Sequence, residues 1–363
     1  MMENRSFDHF LGWLPNSRGK QAGLIYDDPE GAAHSTYPLA PNYTGCPYRN
    51  PDHSYAGGRI EYANGTMDGF LLDPANDVFA IGYYQQNDLP FLSALALNYT
   101  TLDNYFCSIL APTYPNRIFL HAAQTDRLTN SSDLCTLPTI WDSLGRAGVE
   151  GVYYYSNLSF LGLWGTKYLE IVQPYENFLE AAAKGKLPAV AFVEPRFTLT
   201  ENGDGNDFEP DSDVRAGDAF LASTFHAISQ SPQWATTVFA VVFDEWGGFF
   251  DHVAPPRVIA PNETDPDLKD GKALLGFRVP AIVASPFTRG TPEDPRVSHR
   301  LYDHTSILKL IEWRWDLKPL TLRDGSTEIG NLALELNYWS PNYDVPALPL
   351  PDAPPVETCV SSA

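Results

Sequence analysis

The chain has 363 residues, of which 44% are hydrophobic and 19% charged, and a formal net charge of -21. Such a length buries a large core, as one α/β domain or two smaller ones, and the composition is globular rather than disordered. So acidic a surface excludes nucleic acid as a partner, and no run approaches the roughly 20 apolar residues that a membrane span requires.

Residues 15–88 are rich in Tyr, Gly, Asn and Pro and lack periodicity. The pattern then predicts a helix over 89–98, a strand over 101–107 and a helix over 116–125, opening just after Pro115. A helix over 139–147, a strand over 151–156, a helix over 175–184 and a strand over 189–194 follow. After an acidic, Gly-rich loop over 198–213 come a helix at 216–230, strands at 238–245 and 279–285, and a helix at 305–315. The last three strands are near-continuous apolar runs, the mark of strands covered on both faces. Alternating strands and helices give an α/β fold, with a doubly wound, mostly parallel sheet between helix layers. Residues 1–337 read as a single domain with long insertions at 15–88 and 198–213, and 338–363 as a Pro-rich tail on the surface. Structureless loops of that length are uncommon and often functional.

Cys46, Cys107, Cys135 and Cys359 match no zinc spacing. Two disulfides in any of three pairings, or a set of free thiols, are equally compatible with them. Six sequons, at Asn42, Asn64, Asn98, Asn130, Asn157 and Asn262, lean towards a secreted glycoprotein, although the chain opens without a signal peptide.

The chemistry gathers at strand ends. Asp244 and Glu245 close the apolar run Val238 to Phe243, and the turn Trp246-Gly247-Gly248 follows. Two carboxylates at the end of a core strand are costly unless their charge is compensated, and in open α/β sheets that end is where ligands sit. With Glu3-Asn4 at the start of the chain and Thr113 in a Pro-rich block, they suggest an oxygen-ligated metal beside a hydroxyl nucleophile. Glu3 has only two residues ahead of it, where a core strand is expected. The expectation is that the first strand is missing and the chain a fragment.

Glu3-Asn4-Arg5-Ser6-Phe7-Asp8-His9-Phe10-Leu11-Gly12 resembles the opening signature of the phosphoesterase family, which holds the non-specific phospholipases C and the AcpA-type acid phosphatases. The resemblance continues at Asp52-His53, at Ala111 to Arg117, at Asp244 to Val253 and at Tyr302 to Ser306. It implies an alkaline-phosphatase-like α/β/α sandwich. It also implies that Glu3, Asn4, Asp244 and Glu245 hold one divalent metal ion and that Thr113 takes the phosphoryl group. Such a hard site suits Mg²⁺, Ca²⁺ or Mn²⁺, with Zn²⁺ tolerated. Arg117 and His53 are candidates for steadying phosphate or protonating the leaving group, with an anchoring role for Arg117 as an even alternative. His252 and His304 read as structural histidines.

The chain departs from the family where Glu209 and Ser212 replace histidines, and where Trp246 stands in place of a histidine of plant members. Glu209 serves as an acid if desolvation raises its pKa. The expected function is metal-dependent hydrolysis of a phosphate ester through a phosphothreonine, foremost of a phospholipid phosphodiester during transient contact with a membrane surface. An acid-phosphatase-type phosphomonoesterase and a secreted binding protein with a degraded site are the alternatives. A sulfatase is excluded by Thr113, which cannot become formylglycine. Tyr83-Tyr84, Tyr153-Tyr154-Tyr155 and Trp164 are candidates for a lipid-facing mouth, or simply filler.

Overall fold

The computed structural model describes residues 1–199, 203–356 and 359. Its principal strands are β1 (Thr100–Leu102), β2 (Gly151–Tyr155), β3 (Val172–Pro174), β4 (Val190–Val193), β5 (Phe239–Val242), β6 (Ala281–Ala284) and β7 (Val297–Ser298). The principal helices are α1 (Phe7–Leu11), α2 (Pro90–Asn98), α3 (Thr113–Ala122), α4 (Ile140–Ala147), α5 (Tyr175–Ala183), α6 (Val214–Ser229) and α7 (Thr305–Trp315).

The α/β reading holds. One sheet has the order β7-β1-β6-β5, with β7 parallel to β1 and β6 antiparallel to both its neighbours. The other has the order β3-β2-β4 and is parallel throughout. Between the free edges of β4 and β5 stand Met1 and Met2. The Met1 amino group donates to the Val193 carbonyl at 3.2 Å, and Met2 N–H to that of Val242 at 2.8 Å. Met2 also forms a parallel bridge with Phe243.

Helix boundaries follow local chemistry. Thr139 and Asp142 form a capping box that opens α4, and Gly148 closes it at φ 69°, a conformation glycine adopts without a Cβ penalty. Pro90 stands in the first turn of α2, where its missing N–H costs nothing. Helix α3 opens at Thr113, three residues before the predicted start, and this places the threonine on the helix itself. The apolar periodicity could not mark that start, because Thr113, Tyr114 and Pro115 carry no helical pattern of their own.

The long insertion is less bare than its composition suggests. It holds the antiparallel ribbon of 25–27 with 33–35 and a short helix, Gly57–Tyr62. The described residues of 198–213 form no helix or strand, and 200–202 lie outside the described residues. So do 357, 358 and 360–363 of the tail. The rest of the tail has no regular structure and leans on Phe287, whose ring lies 4.9 Å from that of Tyr338. Tyr83, Tyr84, Tyr153, Tyr154 and Trp164 are all buried, which makes them core filler and leaves the lipid-facing reading without support. No described helix is long and apolar enough to cross a membrane.

A disulfide joins Cys46 to Cys359, while Cys107 and Cys135 are buried free thiols. Because the tail makes few contacts of its own, the cross-link is what holds it down. Cys46→Ser is expected to expose 338–356 to limited proteolysis while the remainder stays resistant. Mass spectrometry of the fragments checks this, and an uncut tail would contradict it.

Candidate active site

Three chain segments converge on Arg117. Its Nε donates to Asp244 Oδ2 at 3.1 Å and its Nη1 to Glu194 Oε1 at 2.5 Å, and its Nη2 pairs with Glu3 Oε1. All four side chains are buried, and the guanidinium is 1% exposed. Phe197 covers it with a ring centroid 4.7 Å away. Of the two roles open to Arg117 from sequence, this enclosure favours the anchor over direct contact with a phosphate.

Arg117 lies four residues after Thr113 on α3, so the two share one helix face. The Thr113 side chain therefore stands one turn toward the helix amino end from the carboxylate cluster, and it is 8% exposed. The loop ahead of it is cinched by Asn116, whose amide donates to the Ala111 and Ile109 carbonyls at 2.7 and 3.1 Å and accepts from Ile109 N–H at 3.1 Å.

Asn4 occupies the left-handed region at φ 56°, tolerable for asparagine and a frequent companion of functional sites. Its N–H donates to Asp244 Oδ1 at 3.0 Å. Its amide nitrogen meets His53 Nε2 at 3.2 Å. His53 Nδ1 lies 2.8 Å from the Pro51 carbonyl, which only accepts, so Nδ1 carries a hydrogen and Nε2 is the ring nitrogen that faces Asn4. The same ring nitrogen lies 3.8 Å from Glu245 Oε1. Gly247 follows at φ 65°, and a Cβ there would fall 2.0 Å from the Asn4 carbonyl oxygen. Only glycine lets the two backbones pass so closely.

The structure thus brings together Glu3, Asn4, His53, Arg117, Asp244 and Glu245, with Thr113 a helical turn away. Glu209 stands apart from this group. It accepts from Asn50 Nδ2 at 2.7 Å and from Asp211 N–H at 2.8 Å, on the segment that leads to His53. Burial, then repulsion from Asp211 and Asp207, pushes its carboxyl up to about 8.

Glu194 and His304 were not singled out as site residues. Glu194 ends the apolar run of β4 as Asp244 ends that of β5, so the signal was present and passed over. His304 donates from Nε2 to the Asp244 carbonyl at 2.7 Å, fixing the strand end from behind. Burial lowers its pKa, consistent with a neutral positioning ring.

The site's charge is unbalanced. Glu3, Glu194 and Asp244 share one guanidinium, and Glu245 adds a fourth carboxylate. Burial, followed by repulsion from Asp244, holds the Glu245 carboxyl well above its usual range. Burial also raises Glu3, with Arg117 opposing. Asn4 Oδ1 and Glu245 Oε1 are buried without a hydrogen-bond donor. Unpaired oxygens in an over-negative cluster fit a divalent cation.

A second acidic cluster, Asp8, Asp251 and His252, also has ligand spacing. Its oxygens are already supplied with donors: Arg278 reaches Asp8 and Asp251 at 2.9 Å each, and His252 and Lys20 N–H bind Asp8. Val253 N–H and Asp8 N–H serve Asp251. This cluster is neutralised by protein and pins α1 to the sheet.

Arg117→Met leaves three buried carboxylates without their cation, and breaking a buried pair in this way costs about 3–5 kcal/mol. Urea unfolding at neutral pH should show a loss of that size, smaller at acid pH where protonation relieves the carboxylates. An unchanged midpoint would refute the anchoring role.

Residues 1–318 match the model of the Phosphoesterase family. The chain is 31% identical to non-specific phospholipase C6 of Arabidopsis thaliana, covering 89% of this chain and 69% of that protein. It is 32% identical to phospholipase C B of Mycobacterium tuberculosis, covering 100% of this chain and 82% of that protein. Among solved structures, an alkaline phosphatase superfamily protein from Vibrio parahaemolyticus aligns over 67% of this chain and 63% of its own, at 14% identity and a TM-score of 0.41.

Proposed function

The chain belongs to the phosphoesterase family and hydrolyses phosphate esters, and from that premise we propose a metal-dependent phosphodiesterase of phospholipase C type that works through a phosphothreonine on Thr113. The observation that carries the metal is the pair of buried, donorless oxygens on Asn4 and Glu245 beside an excess of carboxylate. Glu3, Asn4, Asp244 and Glu245 would hold one divalent ion, which when bound lowers the pKa of a coordinated hydroxyl and offsets charge on phosphoryl oxygens.

The residues divide the remaining work. Arg117 draws the ends of β4 and β5 and residue 3 into one place, keeping the carboxylates at fixed positions. Thr113 Oγ1, its proton already released to solvent, attacks phosphorus, forming the Thr113 O–P bond as the bond from phosphorus to the alcohol oxygen breaks. The alcohol leaves with a proton from His53 or Glu209. Water then attacks phosphorus, one of its protons passes to the same base, and the Thr113 O–P bond breaks to release the phosphomonoester and regenerate the Thr113 alkoxide.

A phospholipid head group is the favoured ester, since both phospholipase C relatives align over most of the chain. A phosphomonoester requires the same apparatus and is the second reading. The sequon asparagines Asn42, Asn64 and Asn130 are exposed, and with the Cys46–Cys359 disulfide they support export and glycosylation.

Full-length protein is expected to turn over nitrophenylphosphorylcholine, with nitrophenyl phosphate cleaved more slowly. Chelator should abolish turnover and a divalent ion restore it. Thr113→Ala should lower kcat on the order of 10³-fold or more without shifting the melting temperature. No turnover of either ester by metal-loaded protein would sink the proposal.

Glu209 gives a pH signature. Its folded pKa of about 8 lies above the ordinary 4.5. Between those values the folded state holds a proton that the unfolded state has released. Its contribution to stability is therefore fully present below about 4.5 and is lost as pH rises through about 8. Glu209→Gln should flatten the decline in melting temperature across that window. If Glu209 also protonates the leaving group, the same change removes the alkaline limb of kcat near pH 8.

A further inference from the structure

We propose that Glu61 is a positioning residue of the candidate metal site, a buried carboxylate that fixes Glu245 and His53 relative to one another through two hydrogen-bonded arms. The proposal rests on the metal site assigned to Glu3, Asn4, Asp244 and Glu245. Glu61 hydrogen-bonds to none of those four and acts through their neighbours.

Glu61 lies on the short helix Gly57–Tyr62 and is fully buried. Its Oε2 accepts from Trp246 Nε1 at 2.7 Å and its Oε1 from Asn76 Nδ2 at 3.0 Å. Both partners are neutral donors. Burial pushes the carboxyl well above its usual range, and these two bonds oppose that. A carboxylate in such a place is costly, and the geometry says what it does there. Two donors arriving from different parts of the chain need two acceptor oxygens on one side chain. A carboxylate supplies both, whereas a glutamine amide would turn its own donor toward one of them.

The first arm leads to Glu245. Trp246 follows it directly and is fully buried, its ring edge-on to that of Phe277 at 5.1 Å. Gly247 N–H, next along the chain, donates to Glu245 Oε2 at 2.7 Å. That bond orients the carboxylate and leaves the donorless Oε1 3.8 Å from His53 Nε2. Holding the Trp246 indole therefore holds the peptide that aims Glu245.

The second arm leads to His53 and, beyond it, to Asn4. Asn76 Oδ1 accepts from Asp52 N–H at 2.6 Å, while its Nδ2 also reaches the Phe70 carbonyl at 2.9 Å. Asp52 Oδ1 in turn accepts from Ser54 N–H at 2.7 Å, so the backbone is gripped on both sides of His53. The His53 ring meets the Asn4 amide at 3.2 Å. The helix spans both arms because its first turn is bare. A Cβ on Gly58 would fall 2.9 Å from the Trp246 ring, and one on Gly57 2.5 Å from the Asp52 carboxyl carbon. Groups that orient metal ligands from behind are commonly worth about 10–100-fold in metal affinity or activity.

The test uses full-length protein, Mn²⁺ as the probe and three variants. Glu61→Gln keeps the shape of the side chain and removes one acceptor. Trp246→Phe cuts the first arm and Asn76→Ala the second. Calorimetric titration with Mn²⁺ should show binding about tenfold weaker or more in Glu61→Gln. With nitrophenylphosphorylcholine at saturating Mn²⁺, kcat should fall about tenfold or more while KM stays the same. A merely structural carboxylate would lower the melting temperature and leave both of those unchanged. In protein isotope-labelled at tryptophan nitrogen, the Trp246 indole N–H signal is identified by its loss in Trp246→Phe. It should move upfield in Glu61→Gln, as a charged acceptor gives way to a neutral one. Trp246→Phe and Asn76→Ala should each weaken Mn²⁺ binding, and they decide the matter if Glu61→Gln does not fold. Wild-type affinity and kcat in folded Glu61→Gln, or in both arm variants, overturn the proposal. Failure of wild-type protein to take up Mn²⁺ would instead remove the metal site and this proposal together.

Discussion

The arrangement depends on a single buried guanidinium. Arg117 reaches Glu3, Glu194 and Asp244, which arrive from the start of the chain, from β4 and from β5. A lysine would present one point charge where three carboxylates approach from different directions, whereas the planar fork of arginine serves them together. The helix that carries Arg117 also carries Thr113 a turn earlier. The same contacts that neutralise the strand ends therefore fix the position of the hydroxyl.

The device is repeated away from the site. Arg278 joins Asp8 to Asp251, and Arg323 donates to Asp303 at 2.9 Å, each pair fully buried. Arg5 takes a third form. It donates to the Phe208 and Glu209 carbonyls at 2.7 and 3.1 Å and stacks its guanidinium 4.5 Å from the Phe249 ring. His9 accepts from Arg5 and donates to the Gly82 carbonyl; burial, then the Arg5 charge, holds its pKa well below the usual range. The block Glu3 to His9 is therefore mostly scaffold. Only its first two residues join the carboxylate cluster at Arg117 and Asp244, and the others tie α1 to Phe208, Phe250 and Gly82.

Much of this was legible in the sequence because two signals coincide there. The apolar runs that make β4, β5 and β6 are bounded by charge or by turn residues, so their existence could be read, and at β5 also the carboxylates that end the run. The α4, α5 and α7 boundaries fell within a residue of expectation, helped at α4 by the Thr139–Asp142 capping box. What could not be read was long-range partnership. Nothing in Arg117 distinguishes an anchor from a phosphate ligand until Glu194 is seen 2.5 Å away, 77 residues further along the chain. Nor does a local pattern say that the Cys46 loop is tied to the tail, or that Tyr83, Tyr84 and Trp164, outside the predicted elements, are core.

Glu3 and Asn4 have no regular element of their own. Their position comes from Met2, paired to β5, from Glu3 N–H donating to the Asp207 carbonyl at 2.7 Å, and from the Asp244 carboxylate that caps Asn4. Two of the proposed ligands are thus held by backbone pairing to the end of β5. Arg117 ties that end to Glu194 at the end of β4. Ligands fixed in this way lose less entropy on binding, so the pairing of residues 2 to 4 bears on how tightly the proposed ligands would grip an ion.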